Sequence, residues 1–168
     1  FSLRNLPGHP EAGGNSFAPG YGRMLGLTSR LAIPMVDTAA RAAKSPFELY
    51  LEGQHVPQRD WPAHRRNVLP EPLRALPLWA VAPTLLRRTN PLAAFQEWYE
   101  AKHRALDVSV FDALRRAGLN AEQIELAFDL NVSYGTSAHD VSALMMWFND
   151  GWIRSMEGGP RVAWAARG

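Results

Sequence analysis

Apolar residues in the first part of the chain recur at the spacing of a helix. Met24, Leu27 and Leu31 lie three and four residues apart, so they would share one face of a helix over 20–31. Pro19 stands just before this stretch, at a position that suits the entry to a helix. The pattern therefore predicts an amphipathic helix that begins shortly after Pro19.

Near residue 47 the spacing changes from helical to alternating. The run 47–51 alternates in the way that a strand presents its side chains, and a second short run, 54–56, follows Glu52-Gly53. Glycine is frequent in the two-residue turns that join antiparallel strands. We therefore expect a β-hairpin over 47–56.

Prolines punctuate the middle of the chain, and longer helices are predicted after it. A short helix is expected around 61–67, and the prolines from Pro70 to Pro83 leave room only for short helical pieces. Each later helix is predicted to start at a polar capping residue, and Gln123 completes a capping box with one of them. These caps are Asn90, Asp107, Asn120 and Ser137.

The amino-acid composition is that of a folded protein, and it argues against two classes of function, which are nucleic-acid binding and membrane insertion. The chain has 168 residues, 46% hydrophobic and 20% charged, which suits a folded domain of ordinary size. A net charge of +2 without a dense basic block gives no indication of nucleic-acid binding. Prolines interrupt the apolar run near 76–86, which is too short for a membrane span. We predict a mainly α fold with a small β part, with no nucleic-acid partner and no membrane span.

A pair of glycines near the start of the chain is the strongest candidate for ligand contact. Gly13-Gly14 follows an extended stretch and precedes Asn15-Ser16. Residues without a Cβ let the main chain approach a flat ligand closely, and the exposed N–H groups could contact it. The alternative is a tight turn between a strand and a helix, because paired glycines are common turn residues.

Other sequence signals for chemistry are weaker. Gly20-x-Gly22-x-x-x-Gly26 imitates a dinucleotide fingerprint, but it has three intervening residues where that fingerprint has two, and a helix entry explains it better. No two of the five histidines stand three or four residues apart, so there is no local metal pair. The absence of cysteine excludes thiolate metal sites, and no Gly-x-Ser-x-Gly elbow occurs.

The segment 11–27 resembles the flavin-contacting segment of the flavin-dependent amine oxidase family, which includes flavin monoamine oxidases and proteins similar to L-amino-acid oxidases. In that family a Glu-x-Gly-Gly turn leads through a Pro-containing bend into a helix that carries an arginine. Glu11 and Arg23 match the acid and the arginine of this pattern. The resemblance implies that FAD is contacted, mainly through the backbone, by Gly13, Gly14, Asn15 and Ser16.

The same resemblance implies a division of the chain. Residues 1–45 would be a strand–turn–helix segment of an FAD domain, 46–156 a helical substrate-binding domain, and 157–168 the start of the return to the FAD domain. The parent fold would be a two-domain FAD-binding α/β fold. The family's Gly-x-Gly-x-x-Gly unit and its C-terminal flavin motif have no counterpart in this sequence. We therefore expect an internal fragment that is inactive alone and does not retain FAD.

The activity implied for the full-length parent is oxidation of a C–N bond of an amine or amino acid, with hydride transfer to flavin. Its partner would be a small-molecule substrate, and the sequence assigns no catalytic residue and no compartment. The alternative is a non-catalytic helical binding or interaction module. Such a module would use the apolar surfaces that the parent enzyme would bury.

Overall fold

The chain divides into two units, and residues 17–18, 20–37, 49–131, 134–156 and 164–166 of it are described by a computed structural model. One unit is discontinuous and combines Phe1–Phe47 with Met156–Gly168, while the other is Glu48–Ser155. The described residues are mainly helical, with two small antiparallel β pairs. The coarse prediction of a mainly α fold with a small β part is therefore confirmed.

The discontinuous unit contains one helix and one pair of strands. Helix α1 is Gly22–Arg30, so the predicted helix is confirmed and begins three residues after Pro19. Strand β1, Met35–Asp37, pairs antiparallel with the last strand of the chain, Trp164–Ala166, which is β4. The two paired segments are far apart in sequence, and the whole second unit lies between them along the chain.

The second unit begins with the predicted hairpin. Strands β2, Leu49–Leu51, and β3, Gln54–Val56, pair with Leu49 opposite Val56. Both turn residues, Glu52 and Gly53, have positive φ angles, of 51° and 76°. Two consecutive positive φ angles are typical of the turn whose twist matches that of antiparallel strands, so the local sequence determines this element.

Helix α2, Leu78–Arg88, corrects the prediction that prolines leave only short helical pieces. Pro83 lies inside this helix, where it removes one backbone donor. The helix nevertheless buries a continuous apolar face, which contributes more than the missing hydrogen bond costs. That face consists of Leu78, Val81, Ala82, Leu85 and Leu86. The predicted helix around 61–67 is a shorter 3-10 turn, Trp61–Ala63.

Asn90 does not start a helix, which is a second correction. Two 3-10 segments, Phe95–Tyr99 and Ala101–Leu106, replace the long helix predicted there. The side chain of Asn90 accepts a hydrogen bond from the Leu92 amide at 3.0 Å, and its amide group donates to other segments of the fold. The residue therefore joins distant parts of the chain instead of capping a local helix.

The next two helices show where local capping signals succeed and fail. Helix α3, Val110–Arg116, is capped by Ser109, which accepts from the Asp112 amide, so the predicted cap at Asp107 is wrong. Asp107 instead accepts a 2.6 Å hydrogen bond from the hydroxyl of Ser142. Helix α4, Ala121–Ile124, has the predicted capping box, with both reciprocal hydrogen bonds at 2.9 Å, and continues into a π turn, Glu125–Asp129.

The last helix, α5, is Ala143–Ser155 and begins six residues later than predicted. Ser137 does not cap it, because its hydroxyl donates to Asp140 in the preceding turn. The backbone before α5 pairs with the segment before α3, through an isolated bridge between Ser109 and Ser142. This tertiary pairing fixes the start of the helix. Among the described residues, no helix is both long enough and apolar enough to cross a membrane.

The core of the second unit lies where α2, α3, α5 and the π turn meet. Its largest fully buried side chains are Trp61, Phe128, Leu86, Leu114, Leu119 and Ile124. Asn67 is buried among them and donates to the carbonyls of Trp61 and Arg74, at 3.0 and 3.1 Å. Hydrogen bonding of this amide satisfies a polar group that burial would otherwise make costly.

The contact between α5 and the 3-10 segment Phe95–Tyr99 depends on a glycine. A Cβ added at Gly151 would lie 2.5 Å from the Cβ of Phe95 and 3.5 Å from its Cα, so the neighbouring backbone would have to shift. We expect Gly151→Ala to lower the free energy of unfolding by roughly 1–2 kcal/mol, because overpacking outweighs the better helix propensity of alanine. Chemical denaturation monitored by circular dichroism would measure this change.

A second helical glycine gives a matched control. A Cβ at Gly26 in α1 would have no atom within 4 Å. Gly26→Ala should therefore leave stability unchanged or raise it by up to about 1 kcal/mol. If Gly151→Ala is as harmless as Gly26→Ala, the close approach of Phe95 does not constrain the fold.

Candidate functional site

The four residues predicted to contact flavin, Gly13, Gly14, Asn15 and Ser16, lie outside the described residues, as does Glu11. The matching arginine, Arg23, is the second residue of α1 and is exposed. The structure therefore neither brings the predicted flavin residues together nor separates them, and their role stays a prediction. The described residues offer a different candidate site, on the second unit.

A nearly buried carboxylate connects α2, α5 and the loop after α2. Asp150 on α5 has a side chain that is only 10% exposed. Its Oδ1 accepts a hydrogen bond from Nε of Arg87 at 2.8 Å. Its Oδ2 accepts from Nδ2 of Asn90 at 3.0 Å and from Nε of Arg154 at 3.1 Å. Three donors from three segments therefore share one acidic group.

These donors keep Asp150 ionised. Burial on its own raises the pKa of the Asp150 carboxyl, but hydrogen bonds from Asn90 and Arg87 and the charges of Arg154 and Arg87 act against it. The balance lowers the pKa of Asp150 below its ordinary value of 3.8. At neutral pH the group is therefore a carboxylate whose charge is compensated by its neighbours.

Asn90 connects this cluster to the core. The same Nδ2 group that donates to Asp150 also donates to the carbonyl of Trp147, at 3.0 Å. The indole Nε1 of Trp147 in turn donates to the carbonyl of Leu86 on α2, at 3.1 Å. The chain of hydrogen bonds from Asp150 through Trp147 to α2 fixes the two helices against each other.

A groove of about 430 Å³ lies between α2 and α5, next to this cluster. Its apolar lining includes Trp79 and Pro83 from α2 and Met146 and Ile153 from α5. Trp79 is 48% exposed and Ile153 43% exposed, which is high for large apolar side chains. The volume lies in the range that suits a small-molecule ligand.

The polar residues that line the groove include two arginines and one acid. They are Thr84, Arg87, Arg88, Tyr134, Asn149 and Asp150. Burial raises the pKa of the Tyr134 phenol, so the hydroxyl stays protonated at neutral pH. Tyr134 is held by stacking on Phe128, with ring centroids 4.3 Å apart and an angle of 11° between the planes.

Sequence reasoning did not find this groove. The sequence gives no indication that Asp150 pairs with Arg87, which lies 63 residues earlier in the chain. No local motif connects the two positions, and only the packing of α2 against α5 brings them together.

The histidines of the described residues do not form a metal site. His139 stacks on Phe111 with ring centroids 4.0 Å apart, and His64 stacks on Trp61 at 6.0 Å. His103 lies 3.5 Å from a carboxylate oxygen of Glu97. Over the described part of the chain, no group of three or more histidine, aspartate or glutamate side chains could hold a metal ion.

Comparison with family models, with curated proteins and with solved structures finds no match to this chain. Function is therefore inferred from the order of the two units along the chain, from the groove between α2 and α5, and from the resemblance of residues 11–27.

Proposed function

We propose that this chain is part of an FAD-dependent oxidoreductase that oxidises a C–N bond of an amine or amino acid. The observation that supports the proposal is the order of the two units along the chain. A helical unit, Glu48–Ser155, is inserted into a unit that also contains α1 and the paired strands β1 and β4. The proposal is specific to a full-length parent, in which this chain would supply one part.

The resemblance to the flavin-dependent amine oxidases implies the same order. A segment beside the flavin would be followed by a helical substrate-binding body, and then by a return to the flavin domain. Here the chain leaves β1 at Asp37, forms the helical unit, and returns to pair Trp164 with Asp37. A unit inserted along the chain between two paired strands is compatible with a substrate domain that is carried by another fold.

The described donors near the predicted flavin segment are compatible with an electron-rich ligand. Helix α1 has no acidic residue in its first turn. That turn therefore contributes no carboxylate of its own that would compete for the first backbone N–H groups of the helix. The sequence has no Gly-x-Gly-x-x-Gly unit, so in this proposal another part of the parent binds the FAD phosphates.

In this proposal Gly13, Gly14, Asn15 and Ser16 would lie against the flavin and contact it mainly through their backbone. FAD, when bound, supplies the hydride acceptor. The tasks left to the chain are to orient the substrate and to exclude water from the site. The helices of Glu48–Ser155 would belong to the substrate-binding domain of the parent, and no catalytic residue is assigned among them.

A second candidate function is a non-catalytic binding module. The observation that favours it is the groove between α2 and α5, with its exposed Trp79 and Ile153. Large apolar groups exposed beside polar donors are typical of binding surfaces. The two candidates differ in one respect that can be measured, which is whether the parent carries flavin.

We expect the purified 168-residue chain to lose all flavin on desalting, because it lacks a phosphate-binding loop. The full-length parent should retain FAD, and an amine or amino acid should bleach its flavin absorption band in the absence of oxygen. Admitting oxygen should restore the band and release hydrogen peroxide. A parent without flavin would refute the proposed function, whereas a yellow 168-residue chain would refute only the requirement for the missing loop.

A further inference from the structure

We propose that the groove between α2 and α5 binds a small organic anion, with its apolar body between the two helices and its carboxylate at Arg88. The inference concerns the unit Glu48–Ser155 alone and does not depend on the flavin proposal. The proposal follows from the residues that line the groove, from the partners of its charged side chains, and from its volume.

The walls favour a flat or branched apolar body. Trp79 and Pro83 on α2 lie in the same groove as Met146 and Ile153 on α5. An indole face, a thioether and a branched alkyl group offer contact to an aromatic or aliphatic ligand without requiring hydrogen bonds from it. The exposed parts of Trp79 and Ile153 are therefore surface that a ligand would remove from water.

The charged side chains of the groove favour a negatively charged ligand. Asp150, an acidic group of the groove, already accepts from Arg87, Asn90 and Arg154. It therefore has little capacity left for a cationic ligand. Arg87 is engaged with Asp150, whereas Arg88 forms no ion pair or hydrogen bond within the described residues, so the groove presents an uncompensated positive charge.

The side-chain chemistry of Arg88 also suits an acid. A guanidinium group donates two parallel hydrogen bonds to a carboxylate, which fixes both the position and the orientation of the ligand. Tyr134 also lines the groove, and its phenol is protonated at neutral pH and can donate a hydrogen bond. Two donor groups beside apolar walls suit a carboxylate attached to a hydrophobic body.

The size of the groove favours a small molecule as its ligand. About 430 Å³ accommodates a small molecule, and it is near the lower end of the range for ligand sites. We therefore assign the groove to a free small acid and not to a protein partner or a second copy of the chain.

Three matched probes test the sign of the charge by calorimetry on the 168-residue chain. Phenylpropanoate, phenylpropanamide and phenylpropylamine share the same ring and linker and differ in one terminal group. We expect phenylpropanoate to bind roughly tenfold or more tightly than the amide or the amine, because the carboxylate alone can pair with Arg88. Equal affinity of the acid and the amine would overturn the proposal, as would no binding of any probe.

Substitutions then test the residues. Arg88→Gln should weaken phenylpropanoate binding roughly tenfold while leaving the amide unaffected, and Arg88→Lys should restore part of the loss. Arg59→Gln is the matched control, since the Arg59 side chain is 86% exposed and pairs only loosely with Asp60, at 3.6 Å. Equal losses in Arg88→Gln and Arg59→Gln would show a general charge effect and would refute the assignment to Arg88.

The apolar wall needs a separate variant. Trp79→Ala should weaken binding of the acid and of the amide alike, since both lose the same indole contact. Sedimentation of the same proteins tests the other occupant. A dimer of the unmodified chain that dissociates in Trp79→Ala would assign the groove to a second copy and would contradict the small-acid proposal.

Discussion

Asp150→Ala is expected to lower the free energy of unfolding by roughly 2–3 kcal/mol, the largest loss of stability that we predict for a single polar residue. The carboxylate is nearly buried and accepts from Arg87, Asn90 and Arg154, so its removal leaves three donors without their common partner. Breaking a fully buried ion pair costs more, but both arginines are nearly half exposed and water can replace part of the interaction. The melting temperature should fall by roughly 10 °C.

A surface aspartate provides the comparison. Asp60 pairs with Arg59 at 3.6 Å, and both side chains are mostly exposed. Asp60→Ala should change stability by less than about 0.5 kcal/mol, because an exposed ion pair contributes little. If urea denaturation gives the same loss for Asp60→Ala and Asp150→Ala, the Asp150 cluster does not hold α2 against α5.

The pH dependence of stability shows whether the ionised carboxylate of Asp150 stabilises the folded chain. The pKa of Asp150 is lower in the folded chain than the ordinary value of 3.8, so the folded state favours the charged form. The resulting stabilisation is fully present above the unfolded pKa and is lost as pH falls through the folded pKa. We expect the stability difference between the unmodified chain and Asp150→Asn to be constant near neutral pH and to shrink below about pH 4. A difference that grows on acidification would contradict this assignment.

The elements predicted correctly are those whose signals lie within a few residues. The hairpin depends on Glu52-Gly53, and the capping box of α4 depends on Asn120 and Gln123. In each case the backbone groups are satisfied by their near neighbours, so no distant contact can easily change the outcome.

The incorrect predictions concern elements that depend on contacts between distant parts of the chain. Pro83 is tolerated inside α2 because the buried face of the helix outweighs one missing hydrogen bond. Ser109 replaces Asp107 as the cap of α3, while Asp107 accepts from Ser142, 35 residues later. These choices are decided by tertiary contacts, which a local pattern does not contain.

The candidate groove could not be predicted for the same reason. Its charge depends on Asp150 accepting from Arg87 and Asn90, 63 and 60 residues earlier in the chain. In the sequence, Arg87 and Arg88 look equivalent. The fold shows that Arg87 is paired with Asp150, while Arg88 lines the groove and has no such partner among the described residues. The proposed flavin contacts, by contrast, were predicted from sequence and stay a prediction.

In the full-length parent we expect Gly14→Val to weaken FAD retention roughly 10- to 100-fold. A branched side chain at Gly14 would occupy space that the flat flavin ring needs, and overpacking at a tight contact costs about 1–3 kcal/mol. Gly14→Ala should give a smaller loss, because its single methyl group is the smallest addition that the position can receive. The flavin content after desalting, measured by absorption and normalised to protein concentration, reports both effects.

The comparison with Arg88→Ala distinguishes the two proposed sites. Arg88 lines the groove between α2 and α5, so its truncation should weaken binding of an organic acid and leave flavin content unchanged. Gly14→Val should do the reverse, provided that circular dichroism shows both variants folded. Equal flavin content in the two variants would show that Gly13-Gly14 is only a turn, which is the alternative that paired glycines allow. The function of this chain would then have to be sought in the helical unit, with Trp79 and Arg88 as the first residues to test.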